Sequence, residues 1–91
     1  MTPPLTPGQL LIIADEFART HRVTVRSFAA LAQAAAVSGA RIEGIPVFVD
    51  VAEARAALEE AVRLAKPLSA HNDLFALVCG DVYIRFAATR G

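Results

Sequence analysis

"KPLSAHNDL" occupies residues 66–74, between two apolar segments that read as helices. Pro67 has no amide to give to a helix, so the segment before it must stop there. Ser69, Asn72 and Asp73 belong to the residue types that form turns and cap helix N-termini. The stretch therefore predicts helix, turn, helix. Its polar side chains, Lys66, Ser69, His71, Asn72 and Asp73, are the candidate functional residues. Whether they form a working site or only the frame of one depends on what surrounds them.

The segment before the turn starts at Asp50, with Glu53 three residues on in a box-like cap. Val51, Ala54, Leu58, Ala61, Val62 and Ala65 then form one apolar stripe, and Glu59 and Arg63 stand in the favourable i,i+4 order. After the turn, a helix is predicted from Asn72 to Ala88. Only Asp73, Asp81 and Arg85 in it are charged, which suits a helix that is central or lies in an interface. Further out, Thr6 and Pro7 open a first helix, with Leu10, Ile13, Ala14, Phe17 and Ala18 at helical spacing and an end near Thr20. "HRVTVR" (21–26) is a short extended connection. Ser27 caps a second helix, with Phe28, Leu31, Ala32 and Ala35 on one face and Gly39 as its stop. "RIEGIPVFV" (41–49) resists helix through Gly44, Pro46 and its β-branched residues, and reads as an extended flap or small hairpin. The expected fold is all-α: a single helical domain over 1–91 with one extended flap.

Composition narrows the function. Hydrophobic residues make up 55% of 91, and mean hydropathy is +0.46. A chain this short has little interior, so an apolar patch stays exposed or a partner covers it. Nine basic residues balance nine acidic ones, which leaves no field to attract nucleic acid. No apolar run is long enough to span a membrane. "MTPPLTPGQ" lacks the basic start of a signal peptide. The expected location is the cytoplasm, and eight Arg against one Lys with abundant Ala suits a GC-rich bacterium. Cys79, the single cysteine, is expected to be buried and inert. His21 and His71 lie fifty residues apart, and a metal site would need more ligands. His21 and Arg22 read as a solvated helix end.

The order of these pieces resembles the Doc (death-on-curing) branch of the Fic/Doc family. The likeness runs from Leu5 to Gly91, through "LTPGQLLIIADEF", "VTVRSFAAL", the "GIPVFVD" flap, the long helix and the Pro-containing turn. The resemblance implies an all-helical fold and a toxin that transfers AMP or a phosphoryl group to a translation factor, paired with an antitoxin. It also implies a signature H-P/x-F-x-D/N-G-N-K-R at the turn. Here Lys66 stands at the general-base His, Pro67 fits, and Leu68 replaces Phe. Ala70 replaces the metal-binding acid and His71 the glycine. Asn72 matches, whereas Asp73 and Leu74 stand at Lys and Arg. Members usually continue past this point with more helix, whereas "FAATRG" ends the sequence; that would leave apolar faces of the last helix for a homodimer or an antitoxin-like helix to cover.

Elementary chemistry points the same way. Phosphoryl transfer needs charge neutralisation and a base. The N-terminus of the last helix offers amides to an anion, but Asp73 sits in its first turn and no glycine lets the backbone close in. No Arg follows to clamp a phosphate, the nearest downstream being Arg85, about 16 Å along the helix. Lys66 reads as a cation complementing the end of its own helix. Ser69 and His71 lack a third group to act as nucleophile and base. The expectation is a degenerate Doc-like toxin component that binds protein, with no cofactor, no nucleic acid and no membrane. The alternative is an active transferase that uses ATP with Mg²⁺ through other residues. The flap, Ile42, Ile45, Val47 and Phe48, is the candidate edge for a partner's extended segment.

Overall fold

The computed structural model describes residues 5–37, 41–42, 45–46 and 50–90, with residues 41, 42, 45, 46, 89 and 90 described by backbone alone. The described chain is all-α, as expected. Helices α1 (Pro7–His21), α2 (Phe28–Val37), α3 (Val51–Ala65) and α4 (Asn72–Arg90) account for most of it. Between α2 and α3, β1 (Arg41–Ile42) and β2 (Ile45–Pro46) pair antiparallel, Ile42 opposite Ile45. The extended flap of the sequence is thus a very short hairpin where it is described.

α1, α2 and α3 each start where a capping side chain stands. The Thr6 hydroxyl accepts the Gln9 amide at 3.1 Å, and the Gln9 side chain accepts the Thr6 amide at 2.8 Å. Two otherwise unpaired donors are satisfied at once. Ser27 Oγ accepts the Ala30 amide at 3.1 Å. The Asp50 carboxylate accepts the Ala52 amide at 2.9 Å, one residue short of the Glu53 position that a capping box uses. α1 and α3 both end on a left-handed residue, Arg22 (φ 55°) and Lys66 (φ 48°). That conformation returns the cap amide to the last turn: Lys66 N–H donates to the Val62 carbonyl at 3.1 Å.

The core draws on all four helices. Leu10, Ala14 and Phe17 of α1 meet Leu31, Ala34 and Ala35 of α2, Ala54, Leu58 and Val62 of α3, and Phe75, Ala76, Cys79 and Tyr83 of α4. α3 lies between α2 and α4 and packs on both, and α1 closes against α2 and α4. Two expectations need correction. Phe28, placed on the inner face of α2, is 53% exposed, and Ala34 takes the inward position. Arg63 does not pair with Glu59: it bonds Glu60 at 3.0 Å, while Glu59 receives Arg55 at 3.1 Å.

The Glu59 carboxylate lies over the backbone of α4 at Gly80, where an added Cβ would fall inside it. Arg55 also reaches Asp81 at 3.4 Å, so one guanidinium ties α3 to α4. Gly80 is therefore a close-approach glycine: its missing side chain is the space that Glu59 occupies.

Candidate functional site

The turn between α3 and α4 is stitched to the connection between α1 and α2. Val25 and Leu68 form an antiparallel bridge. The Arg26 and Ser27 amides both donate to the Pro67 carbonyl, at 2.6 and 3.3 Å, and the Ser69 amide donates to the Thr24 carbonyl at 2.8 Å. Ser69 Oγ in turn accepts the Thr24 amide at 3.0 Å. Of "HRVTVR", read as an extended connection, His21 still belongs to α1 and Arg22 is its left-handed cap. It is Thr24 to Arg26 that pair with residues 67–69, and Pro67 and Leu68 are buried beneath them.

Asn72 holds the turn from the other side. Its Oδ1 accepts the Leu68 amide at 2.9 Å and its Nδ2 donates to the Leu68 carbonyl at 3.0 Å. An asparagine is the side chain that offers an acceptor and a donor together at this reach. His71, at φ 60°, takes the left-handed turn that brings the chain into α4, and its carbonyl accepts the Phe75 amide at 2.9 Å. The Ser69 amide and hydroxyl, the His71 carbonyl and the Asn72 side chain thus all have structural partners.

An open cleft of about 580 Å³ lies against this turn, lined by Arg26, Arg63, Lys66, Ser69, His71, Asn72, Asp73 and Leu74. All five candidates of the turn come together there. Arg26 and Arg63 were not among them. Arg26 arrives because its segment pairs with Pro67, and Arg63 because it occupies the last turn of α3. No arginine follows the turn before Arg85, as the sequence reads; the two at the cleft come from earlier in the chain. With Lys66 they place three cations against the one carboxylate of Asp73. The free amides of the first turn of α4 add the positive end of a helix dipole, and the cleft is electropositive in a chain whose net charge is zero.

The two histidines meet as well. His21, half-buried, stacks on Phe17 with ring centroids 4.0 Å apart, and its ring centroid lies 6.1 Å from that of His71. His21 Nδ1 is 3.1 Å from the Phe17 carbonyl. His21 is accordingly packed rather than solvated, while Arg22 beside it is exposed. Two imidazoles fall short of a metal centre, and no group of three or more His, Cys, Asp or Glu is gathered among the described residues. Cys79 is buried, and burial first, with the Glu59 charge second, pushes its thiol up to about 12. It stays protonated near neutrality and is a poor nucleophile.

Of the flap residues, Ile42 and Ile45 are paired with each other across the hairpin. Val47 and Phe48 lie outside the described residues.

The chain matches no family model, no curated protein and no solved structure. These comparisons leave the Fic/Doc likeness a resemblance of sequence pattern. Among the described residues, no helix is long and apolar enough to cross a membrane.

Proposed function

We propose that the chain is a Doc-like toxin component without transfer chemistry, and that it works in the cytoplasm by binding protein. The observation that carries this reading is the use to which the turn puts its polar side chains. Asn72 is held by both main-chain groups of Leu68, and Ser69 is held by Thr24. The position that the resemblance gives to a metal-binding acid is Ala70, and the position of the general base is Lys66, the exposed cap of α3. The frame of the site is kept by hydrogen bonds that need no substrate.

Partner binding has support in the surface. Ile12, Phe28, Leu64, Leu74 and Leu77 are 43–74% exposed, a large apolar allowance for a chain of 91 residues. An antitoxin-like protein or a second copy of the chain is the partner class that the resemblance implies. Purified chain, incubated with Mg²⁺ and ATP labelled at either the α- or the γ-phosphate, with and without an added translation elongation factor, should label nothing. Expression should leave bacterial growth unchanged. Label on the factor, or arrest of growth by the wild type and not by a Lys66→Ala variant, would overturn the reading.

The second reading, an active transferase with unfamiliar residues, is favoured by one observation: Arg26, Arg63 and Lys66 converge at the start of α4. Cations in that place could neutralise the phosphates of ATP with Mg²⁺. The same labelling experiment separates the two.

A further inference from the structure

The cleft beside residues 66–74 has a charge that the composition does not explain. Nine basic and nine acidic residues cancel over the whole chain, yet the lining holds three of the first and one of the second. The cations come from three different places: Arg26 from the connection after α1, Arg63 from the last turn of α3, and Lys66 from its cap. Among the described residues, Arg63 has an ion-pair partner in Glu60, and neither Arg26 nor Lys66 has one. Their positions are fixed by the main chain, since the Arg26 amide is bonded to Pro67 and the Lys66 amide to Val62. The first residues of α4, Asn72 to Leu74, line the same space.

The cleft also has an apolar shoulder. Leu74 belongs to its lining and is 43% exposed, and Leu77, three residues on and so on the same side of α4, is 51% exposed. A free phosphate or a mononucleotide would use the cations and leave the leucines in water. A peptide that carries carboxylates interspersed with an apolar side chain would use both. Nucleic acid would present a longer run of charge than one cleft in a neutral chain can match.

We infer that this cleft is the docking site for an acidic segment of a protein partner, with carboxylates on Arg26, Arg63 and Lys66 and an apolar side chain on Leu74 and Leu77. The inference rests on the protein-binding reading and adds to it the place and the chemistry of the partner. Charge complementarity of this kind sets register and rate of association more than affinity, so weak, salt-sensitive binding is the expected signature.

The test uses the full chain and a fluorescein-labelled, capped Glu-Glu-Leu-Glu-Glu-Leu peptide, followed by anisotropy. Binding should saturate below about 1 mM and weaken about tenfold or more when salt rises from roughly 50 to 500 mM. The Arg26→Glu/Lys66→Glu variant should weaken it by about tenfold or more. An Arg19→Glu/Arg85→Glu variant, with the same charge change away from the cleft, should bind like wild type. Circular dichroism on each variant reports whether it folds. On wild-type protein, amide shifts in NMR should move at Arg26, Lys66 and His71 and stay still at the far end of α4, which needs no variant at all. No saturable binding below about 1 mM, equal loss in both variants, or shifts confined to residues outside the cleft would each overturn the inference. Displacement of the peptide by equimolar Mg-ATP would overturn it in favour of a nucleotide. Failure of the peptide together with absence of label transfer removes this inference alone, whereas label transfer removes the protein-binding reading beneath it.

Discussion

Asn72 binds Leu68 through both of that residue's main-chain groups, accepting its amide at 2.9 Å and donating to its carbonyl at 3.0 Å. The pair closes the turn between α3 and α4 across buried Leu68. It is also the one position at which the sequence matches the polar residues of the Fic/Doc signature. A structural task is enough to account for that match.

Asn72→Ala would leave a partly buried donor and acceptor unsatisfied, at a cost of about 1–3 kcal/mol. Asn72→Asp keeps the acceptor and removes the donor, so it should cost less. Urea titrations should show both as lower midpoints at unchanged slope. A silent Asn72→Ala would mean that the turn is held by Val25, Thr24 and Pro67 alone.

Gly80 and Glu59 compete for one space. Gly80→Ala gains about 1 kcal/mol of helix propensity but displaces the carboxylate that Arg55 holds. Alone, the substitution should therefore come out close to neutral or destabilising. In a Glu59→Ala background only Arg55 Nε, at 3.0 Å and on a flexible side chain, is left near the new Cβ, and the same change should stabilise by up to about 1 kcal/mol. The double-mutant cycle measures the conflict; additivity would show that the two do not touch.

Cys79 gives a pH dependence of known sign. Its folded thiol is raised to about 12 from the ordinary 9.0. Below 9 the thiol is protonated in both the folded and the unfolded chain, and nothing is lost. Above 9 the unfolded chain sheds the proton first, so stability falls by up to about 1.4 kcal/mol per pH unit until the folded thiol also ionises. From about pH 9 upward, urea midpoints of wild type should drop more steeply than those of Cys79→Ala. Thiol reagents at neutral pH should label the native protein slowly and the unfolded protein fast.

On α3, Leu58 and Leu64 are chemically identical and placed oppositely, the first fully buried and the second 74% exposed. Leu58→Ala should cost about 2–5 kcal/mol through lost contacts and a cavity. Leu64→Ala should stay within about 0.5 kcal/mol. Thermal or urea unfolding of the two variants reads the difference directly, and a large cost at Leu64 would mean that a second chain covers it in solution.

Local signals were readable in the sequence because their causes are local. Thr6, Ser27 and Asp50 each cap a helix, and Pro67 and Asn72 set the break between the last two. The Thr6–Gln9 box was equally open to view, since glutamine serves at that position as glutamate does. What the sequence did not disclose depends on tertiary contacts. Phe28 fits the helical stripe of α2, but that helix is apolar nearly all round, so periodicity cannot say which face turns inward. Arg26 joins the cleft only because residues 24–27 pair with 67–69, a register between segments some forty residues apart. His21 and His71 meet for the same reason.

The central claim is that residues 66–74 keep the shape of a transfer site and not its chemistry. Calorimetry with Mg-ATP on the full chain, at about 0.5 M salt so that loose attraction to the three cations is screened, tests it most directly. The account predicts no saturable heat. Micromolar binding at one nucleotide per chain, lost in Lys66→Ala, would contradict it.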